Sequence, residues 1–255
     1  MRREETEKRL RELELFRGLR LVPGAWTVLR LDGRGFTRFA AERFEKPFDE
    51  RLRDHMIGAA RALLEDFQGL YAVTHSDEIS VVFAPRWELF DRRVEKLVSV
   101  SAAVVSAAFS LACGEAAHFD SRVWQGVSRD DVTAYFRWRQ DDAARCALHG
   151  WCYWTLRRDG LDAEQAAHAL VGKGKGLQNE FLFRHGVNFN DLPAWQRRGV
   201  GLRWESYSKP GMDPRSQTPT TAERRRIRIE PELPLGEAYG QFVRQFLHDH
   251  DAQAT

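Results

Sequence analysis

Two short blocks hold the residues best suited to chemistry. The first is Asp32-Gly33-Arg34-Gly35-Phe36-Thr37, and the second is Ser76-Asp77-Glu78. Clustered carboxylates repel one another unless a cation sits among them. Mg²⁺ is the natural cation, because it takes oxygen ligands and binds through one or two carboxylates plus substrate phosphates. If Asp32, Asp77 and Glu78 meet, the Gly33 carbonyl supplies a further oxygen. Two such ions, roughly 3.5–4 Å apart, clamp the attacking and leaving oxygens of a phosphoryl transfer. Gly33 and Gly35 also allow backbone N–H groups to approach a triphosphate closely. Neither block is a nucleotide motif by pattern: no G-x-x-x-x-G-K-[ST] occurs, and G-R-G-F-T-R lacks the third glycine of the dinucleotide fingerprint. Taken singly, Asp32 can cap a helix, and Asp77 with Glu78 can be ordinary turn residues.

A second grouping, Cys146, His149 and Cys152, is weaker. On a helix these positions spread around the axis, and no fourth ligand is near, so a zinc site is not expected. The three cysteines, Cys113 included, are odd in number and form no C-x-x-C, which argues against a disulfide framework.

The elements that must position the first two blocks follow from pattern. Residues 2–17 read as a charged surface helix, 25–32 as a strand, and 33–40 as a Gly-rich turn. From Asp49 an amphipathic helix repeats Leu52, Met56, Ala59, Ala60, Leu63, Leu64 and Phe67, with Pro47 marking its start. Residues 70–76 and 78–84 are two strands meeting at Ser76-Asp77, 87–112 a helix stopped by Gly114, 118–127 a strand, and 129–157 a helix. The order β-α-β-β-α-β predicts an α+β, ferredoxin-like, palm-like antiparallel sheet with helices on one face. In that topology the third strand lies between the first two. The end of strand one and the tip of the hairpin then share one sheet edge, which brings Asp32, Asp77 and Glu78 together. Beyond residue 158 we expect an α-β appendage, so 1–157 is the catalytic domain and 158–255 the addition. It holds a helix over 161–173 opened by Asp162 and Gln165, a flexible basic turn at 172–176, and a loop leading to a strand. A hairpin loop or linker at 208–223, a basic strand from 224 and a short final helix complete it.

The chain has 255 residues, 43% of them apolar and 11% aromatic, enough for a core, so global disorder is excluded. Net charge is only +2, which removes any argument for polyanion binding from total charge. Of 39 basic residues only six are lysine. Arginine's planar fork matches phosphate oxygens, although a codon bias towards arginine explains the same count. No apolar run approaches the roughly 18 residues of a membrane span. The charged N-terminal helix has no secretory core, so a cytoplasmic protein is expected.

RLDGRGFTRFAAERFEKPFDE followed by HSDEISVVF resembles the tRNA-histidine guanylyltransferase family and its tRNA-guanylyltransferase-like relatives. FDSRV, the W-R-Q-x-D of 138–142 and NEFLF…VNFNDLPAWQRRG agree, so matching blocks run from about residue 25 to 201. The resemblance implies a polymerase-like palm that adds nucleotides in the 3′-to-5′ direction to tRNA 5′ ends, after activation of the 5′-monophosphate with ATP or GTP. It implies metal ligation by Asp32, Gly33 and Asp77, two Mg²⁺ ions, and a required acid at Glu78. It places nucleotide binding on Asp32, Gly33, Arg34, Gly35, Phe36, Thr37, Lys46, Ser76, Asp77 and Asn188, and suggests a homotetramer. Three positions depart from the family. The window that reads H-I-N-N-L-Y-N in the eukaryotic histidine-tRNA enzymes is ARCALHG at 144–150, with Ala144 in place of the His. The lysine before N-E-[IL]-L-F is Gln178, for which Lys173 or Lys175 is a candidate replacement, and a family His is Thr37. The first departure makes template-dependent repair of tRNA 5′ ends the leading expectation. The alternatives are guanylate addition to histidine tRNA, a nucleotide-cyclising palm, and a non-catalytic RNA-binding module. The last would stack bases on sheet aromatics, and the strands offer only Tyr71 and Phe83.

Overall fold

The structure is a computed structural model that describes residues 3–212 and 218–252. The chain runs α1 (Arg3–Glu12), β1 (Trp26–Gly33), α2 (Phe36–Arg43), α3 (Glu50–Asp66), β2 (Tyr71–His75), β3 (Glu78–Phe83), α4 (Val94–Cys113), β4 (Phe119–Gly126) and α5 (Arg129–Arg158). It continues with α6 (Ala163–Leu170), α7 (Lys175–Arg184), α8 (Ala194–Arg198), β5 (Val200–Met212), β6 (Pro219–Glu230) and α9 (Gly236–Ala252). All six strands join one antiparallel sheet in the order β4-β1-β3-β2-β5-β6, so β3 lies between β1 and β2.

Both faces of this sheet are covered, which corrects the expectation of helices on one face. Leu29, Leu31, Ile79, Val81 and Phe83 pack on one side with Met56 and Leu63 of α3 and Val105 and Phe109 of α4. On the other side Trp26, Val28, Tyr71 and Val82 meet Phe136 of α5 and Tyr239 and Val243 of α9. The strands carry consecutive apolar residues instead of alternating ones, which is the mark of a doubly buried sheet. A third cluster, Ala147, Leu148 and Cys152 with Leu170 and Leu182, attaches α6 and α7 to the second half of α5.

Local signals fix the helix starts. Asp49 caps α3 by accepting from the Arg51 N–H, and Ser128 with Asp131 forms a capping box on α5. Asp162 with Gln165 does the same for α6, as expected. Other boundaries differ from the sequence reading. Helix α2 begins at Phe36, directly after the Arg34-Gly35 turn, because Phe36 and Ala40 bury one face. A 3-10 turn, Leu89–Arg92, precedes α4 and delays its start. Residues 175–184, expected as basic turn and loop, are helical, with Leu182 buried and Lys175, Leu177, Gln178, Glu180, Leu182 and Arg184 as good helix formers. Strands β5 and β6 run through 208–212 and 219–223, where a loop was expected, and residues 213–217 lie outside the described residues. The ladder is reinforced by Arg226 and Arg228 on Glu205 and by Arg203 on Glu230. Helix α9 has 17 residues and is not short. Among the described residues α4 alone is long and apolar enough to cross a membrane, contrary to expectation. Interleaved Ala and Ser raise its hydropathy without producing an apolar run, and here Leu97, Val105 and Phe109 pack into the sheet.

Candidate active site

The end of β1 and the β2–β3 hairpin meet as the strand order requires. Asp32 stands opposite Glu78 in the ladder, and the Gly33 N–H donates to the Asp77 carbonyl at 3.2 Å. Asp77 sits in a tight turn in which Ser76 takes a left-handed φ of 54° and its hydroxyl donates to Asp77 Oδ1 at 3.1 Å. Burial, and then the charge of Asp32, push the Asp77 carboxyl up to about 6, with Glu78 adding to the rise. Two carboxylates held together this way gain from a shared cation.

Glu78 shares the edge but is committed elsewhere. Arg139 of α5 grips it as a fork, with Nε 2.8 Å from Oε1 and Nη2 on Oε2. The same guanidinium also reaches Asp142 Oδ2 at 3.1 Å. The Glu78 side chain is thereby ion-paired to α5. Among the described residues no group of three or more His, Cys, Asp and Glu side chains converges as a metal site. Asp32 and Asp77 remain, and two carboxylates with backbone and phosphate oxygens fit Mg²⁺.

Gly33 is needed for packing. A Cβ there would lie 2.2 Å from the Phe36 ring, and its N–H is occupied by Asp77. The donors free for a phosphate lie one step on. Gly35, with φ of 67°, opens α2 with no side-chain cap on its first turn, and such helix starts attract anions. Thr37, Lys46, Ser76 and Asp77 line a cavity of about 650 Å³ between α2 and α5. Burial pulls the Lys46 ammonium down from its usual value, while Asp77 and Asp49 pull it back up, so Lys46 lies within reach of the carboxylates. A second cavity, of about 390 Å³, shares Asp77 with the first and is lined also by Arg30, Asp32, Glu78 and Arg139.

Asn188 is not brought to this edge. It caps the turn Phe189–Asp191, accepting from the Asn190 N–H at 3.2 Å and donating to Asp191 at 2.8 Å. It lines a separate, larger cavity of about 1040 Å³ with Arg145, Lys173, Lys175, Gln178 and Arg197. Ala144, Leu148 and His149 of the 144–150 window line the same cavity.

Sequence reasoning missed Arg139 as the partner of Glu78, although the W-R-Q-x-D block pointed at it. It also missed His75, whose Nε2 donates to the Gln196 carbonyl at 2.9 Å and ties α8 to the hairpin. Burial keeps that imidazole neutral by lowering its pKa. Tyr71 and Phe83, the aromatics an RNA-binding sheet would display, are fully buried.

Known proteins resemble this chain along both halves of its sequence. The family model described as tRNAHis guanylyltransferase matches residues 7–129, and the model of that family's C-terminal domain matches 130–232. A probable tRNA(His) guanylyltransferase of Drosophila melanogaster is 34% identical over 194 residues, 71% of this chain and 68% of the relative. The tRNA(His) guanylyltransferase of Neurospora crassa is 34% identical over 207 residues, 75% of this chain and 71% of its own. Among solved structures, a bacterial tRNA(His) guanylyltransferase-like protein in complex with ATP is similar at a TM-score of 0.75 and 26% identity, covering 95% of this chain and 98% of that one. With matches spanning both halves of the sequence, the chain belongs to the tRNA(His) guanylyltransferase family of nucleotidyltransferases.

Proposed function

We propose that this protein adds guanylate to the 5′ end of histidine tRNA in a Mg²⁺-dependent reaction activated by ATP or GTP. The observation that carries the reading is the buried Asp77 carboxyl, raised by Asp32, on the wall of a cavity that also presents Lys46. That volume suits a nucleotide. The strand order β4-β1-β3-β2, with both carboxylates on one edge, supports a palm-like catalytic unit over 1–157, with 158–255 as its appendage.

Asp32 and Asp77 would hold Mg²⁺, which when bound supplies the positive charge that phosphoryl transfer needs. The rest falls to this chain's own residues. The open start of α2 and Lys46 hold and orient a triphosphate through backbone N–H groups and the ammonium. In activation, the RNA 5′-phosphate oxygen bonds to the nucleotide α-phosphorus and pyrophosphate leaves. In transfer, the 3′-hydroxyl of the incoming nucleotide bonds to the activated 5′-phosphorus, losing its proton, and the nucleoside monophosphate leaves. Arg139 holds Glu78 in an ion pair at the rim of the same edge.

A second reading, template-dependent repair of truncated tRNA, is favoured by one observation: the 144–150 window lacks the H-I-N-N-L-Y-N of the eukaryotic histidine-tRNA enzymes and lines the cavity of about 1040 Å³. One experiment tests both readings. Histidine tRNA and several other tRNAs, each lacking its first nucleotide and with the opposing base varied, are incubated with ATP, all four nucleotides and Mg²⁺ or chelator. Extension of histidine tRNA alone by G supports guanylate addition. Extension of every tRNA by the complementary base supports repair. No extension of any tRNA, or extension in chelator, refutes the proposal. By the same family resemblance we expect a tetramer, which light scattering reads directly.

A further inference from the structure

We infer that Trp138 is a stacking platform for the terminal nucleobase of the RNA substrate, with Arg30 beside it to receive the adjoining phosphate. This rests on the RNA-directed reading above. Trp138 lies on α5 and is 54% exposed, although it adjoins the ion pair that closes the carboxylate edge. The Arg139 guanidinium lies 4.7 Å from its ring centroid and the Arg30 guanidinium 6.0 Å. Both arginines line the cavity that holds Asp32, Asp77 and Glu78, so the indole stands at its rim.

The ring is backed and held in orientation. Tyr135 meets it edge-on at 5.8 Å, Trp124 packs on Tyr135 at 4.9 Å, and the Tyr135 hydroxyl is anchored on Ser80 at 3.2 Å. The charges beside it differ in availability. Arg139 is tied to Glu78 and Asp142, and Arg122 to Asp120. Among the described residues the Arg30 side chain has no hydrogen bond or ion pair, although it is partly buried. A guanidinium in that position suits a phosphate oxygen.

The exposure argues for RNA over a free nucleotide. Small-ligand sites bury most of their ligand, as the cavity between α2 and α5 can. A ring more than half open cannot enclose a mononucleotide. It can cap the flat end of a base stack, where aromatic contact tolerates any base. The Lys46 cavity and the cavity lined by Arg30 share Asp77 in their walls, so two substrates held in them would meet at that carboxylate.

The test measures binding in chelator, so that chemistry plays no part. The probe is an acceptor-stem hairpin RNA whose 5′-terminal nucleotide is intact or abasic. Trp138→Ala is expected to weaken binding of the intact RNA by about tenfold, the scale of one lost stacking contact. It should leave binding of the abasic RNA and of ATP unchanged, and Trp138→Phe should retain most of the affinity. Arg30→Met should weaken both RNAs and lower the salt slope by about one. Equal losses on both RNAs, no loss on either, or weakened ATP binding would overturn the inference. If Trp138→Ala does not fold, 2-aminopurine at the RNA terminus decides with wild-type protein: stacking quenches it, and undiminished emission in the complex refutes the platform. Wild-type protein that binds neither RNA brings down the RNA-directed reading itself, whereas binding insensitive to Trp138 brings down the platform alone.

Discussion

Replacing Asp49 by Asn should cost stability at neutral pH and almost none in acid. The Asp49 carboxylate is 8% exposed and caps α3. It accepts from the Arg51 N–H at 2.7 Å, the Glu45 N–H at 2.8 Å and Arg51 Nη2 at 2.7 Å. The Arg51 side chain chiefly, helped by those two N–H groups and opposed by burial, holds the carboxyl at about 2. An unfolded chain titrates near 3.9, and that gap corresponds to roughly 2.5 kcal/mol. Arg51 is open to solvent, which screens part of the attraction, so we expect about 1.5–2 kcal/mol. The sign follows from which state protonates first. On acidification the unfolded chain takes up the proton near 3.9 while the folded one resists until about 2. The stabilisation is therefore complete above the unfolded value and lost as pH falls through the folded one. Urea unfolding of wild type and Asp49→Asn at a series of pH values between 7 and 2 reads this directly. The difference should be full at neutral pH and close towards the acid end. A difference independent of pH, or none at neutral pH, would refute the reasoning. Since Asp49 also holds the Glu45 N–H, the segment carrying Lys46 loosens in the variant, and KM for the nucleotide should rise more than kcat falls.

Asp32→Ala and Asp77→Ala should each lower nucleotide addition by about 10³-fold or more, as for groups that act as a unit, with unfolding curves close to wild type; activity in either variant at wild-type level rejects the shared cation site. Glu78→Gln leaves Arg139 without its main partner in a largely buried position and should destabilise by about 2–3 kcal/mol; a variant that also carries Arg139→Gln should recover part of the loss in urea unfolding. Affinity for RNA should fall steeply with salt although the net charge is only +2, because each neutralised phosphate releases about 0.7 counterion on a single strand; a titration flat between low and moderate salt contradicts that.

The meeting of Asp32 with Asp77 was legible because it needs only topology. Apolar β-branched runs, one amphipathic helix and a tight turn set the strand order, and the order sets the edge. The covering of both sheet faces went unread, although the same runs carried the signal, since TVLRL, YAV and VVF do not alternate. What stayed hidden depends on partners distant in sequence. Glu78 reads as a required acid of the cluster, and its pairing with Arg139 emerges only when α5 packs against the edge. Asn188 was grouped with the others through the family resemblance of VNFN alone, and the fold of α7 and α8 sends it to another cavity. The long β5–β6 hairpin was obscured by Pro and Gly at residues 210 and 211, which sit in a ladder closed by cross-strand Arg–Glu pairs.

Helix α5 borders all three cavities. Arg139 and Asp142 face the cavity at the carboxylate edge, Arg145 and His149 the large basic one, and Gly150 and Tyr153 the one beside Lys46. Its 30 residues are one unbroken helix, so these assignments are phased by a single screw. One residue inserted near Ala144 would rotate everything after it by about 100°, turning Tyr153 and His149 out of their cavities together and pulling Leu148 and Cys152 from their own core. Length changes are thus barred along this stretch. With the length of α5 held, each chamber is retuned by substitution, one side chain at a time.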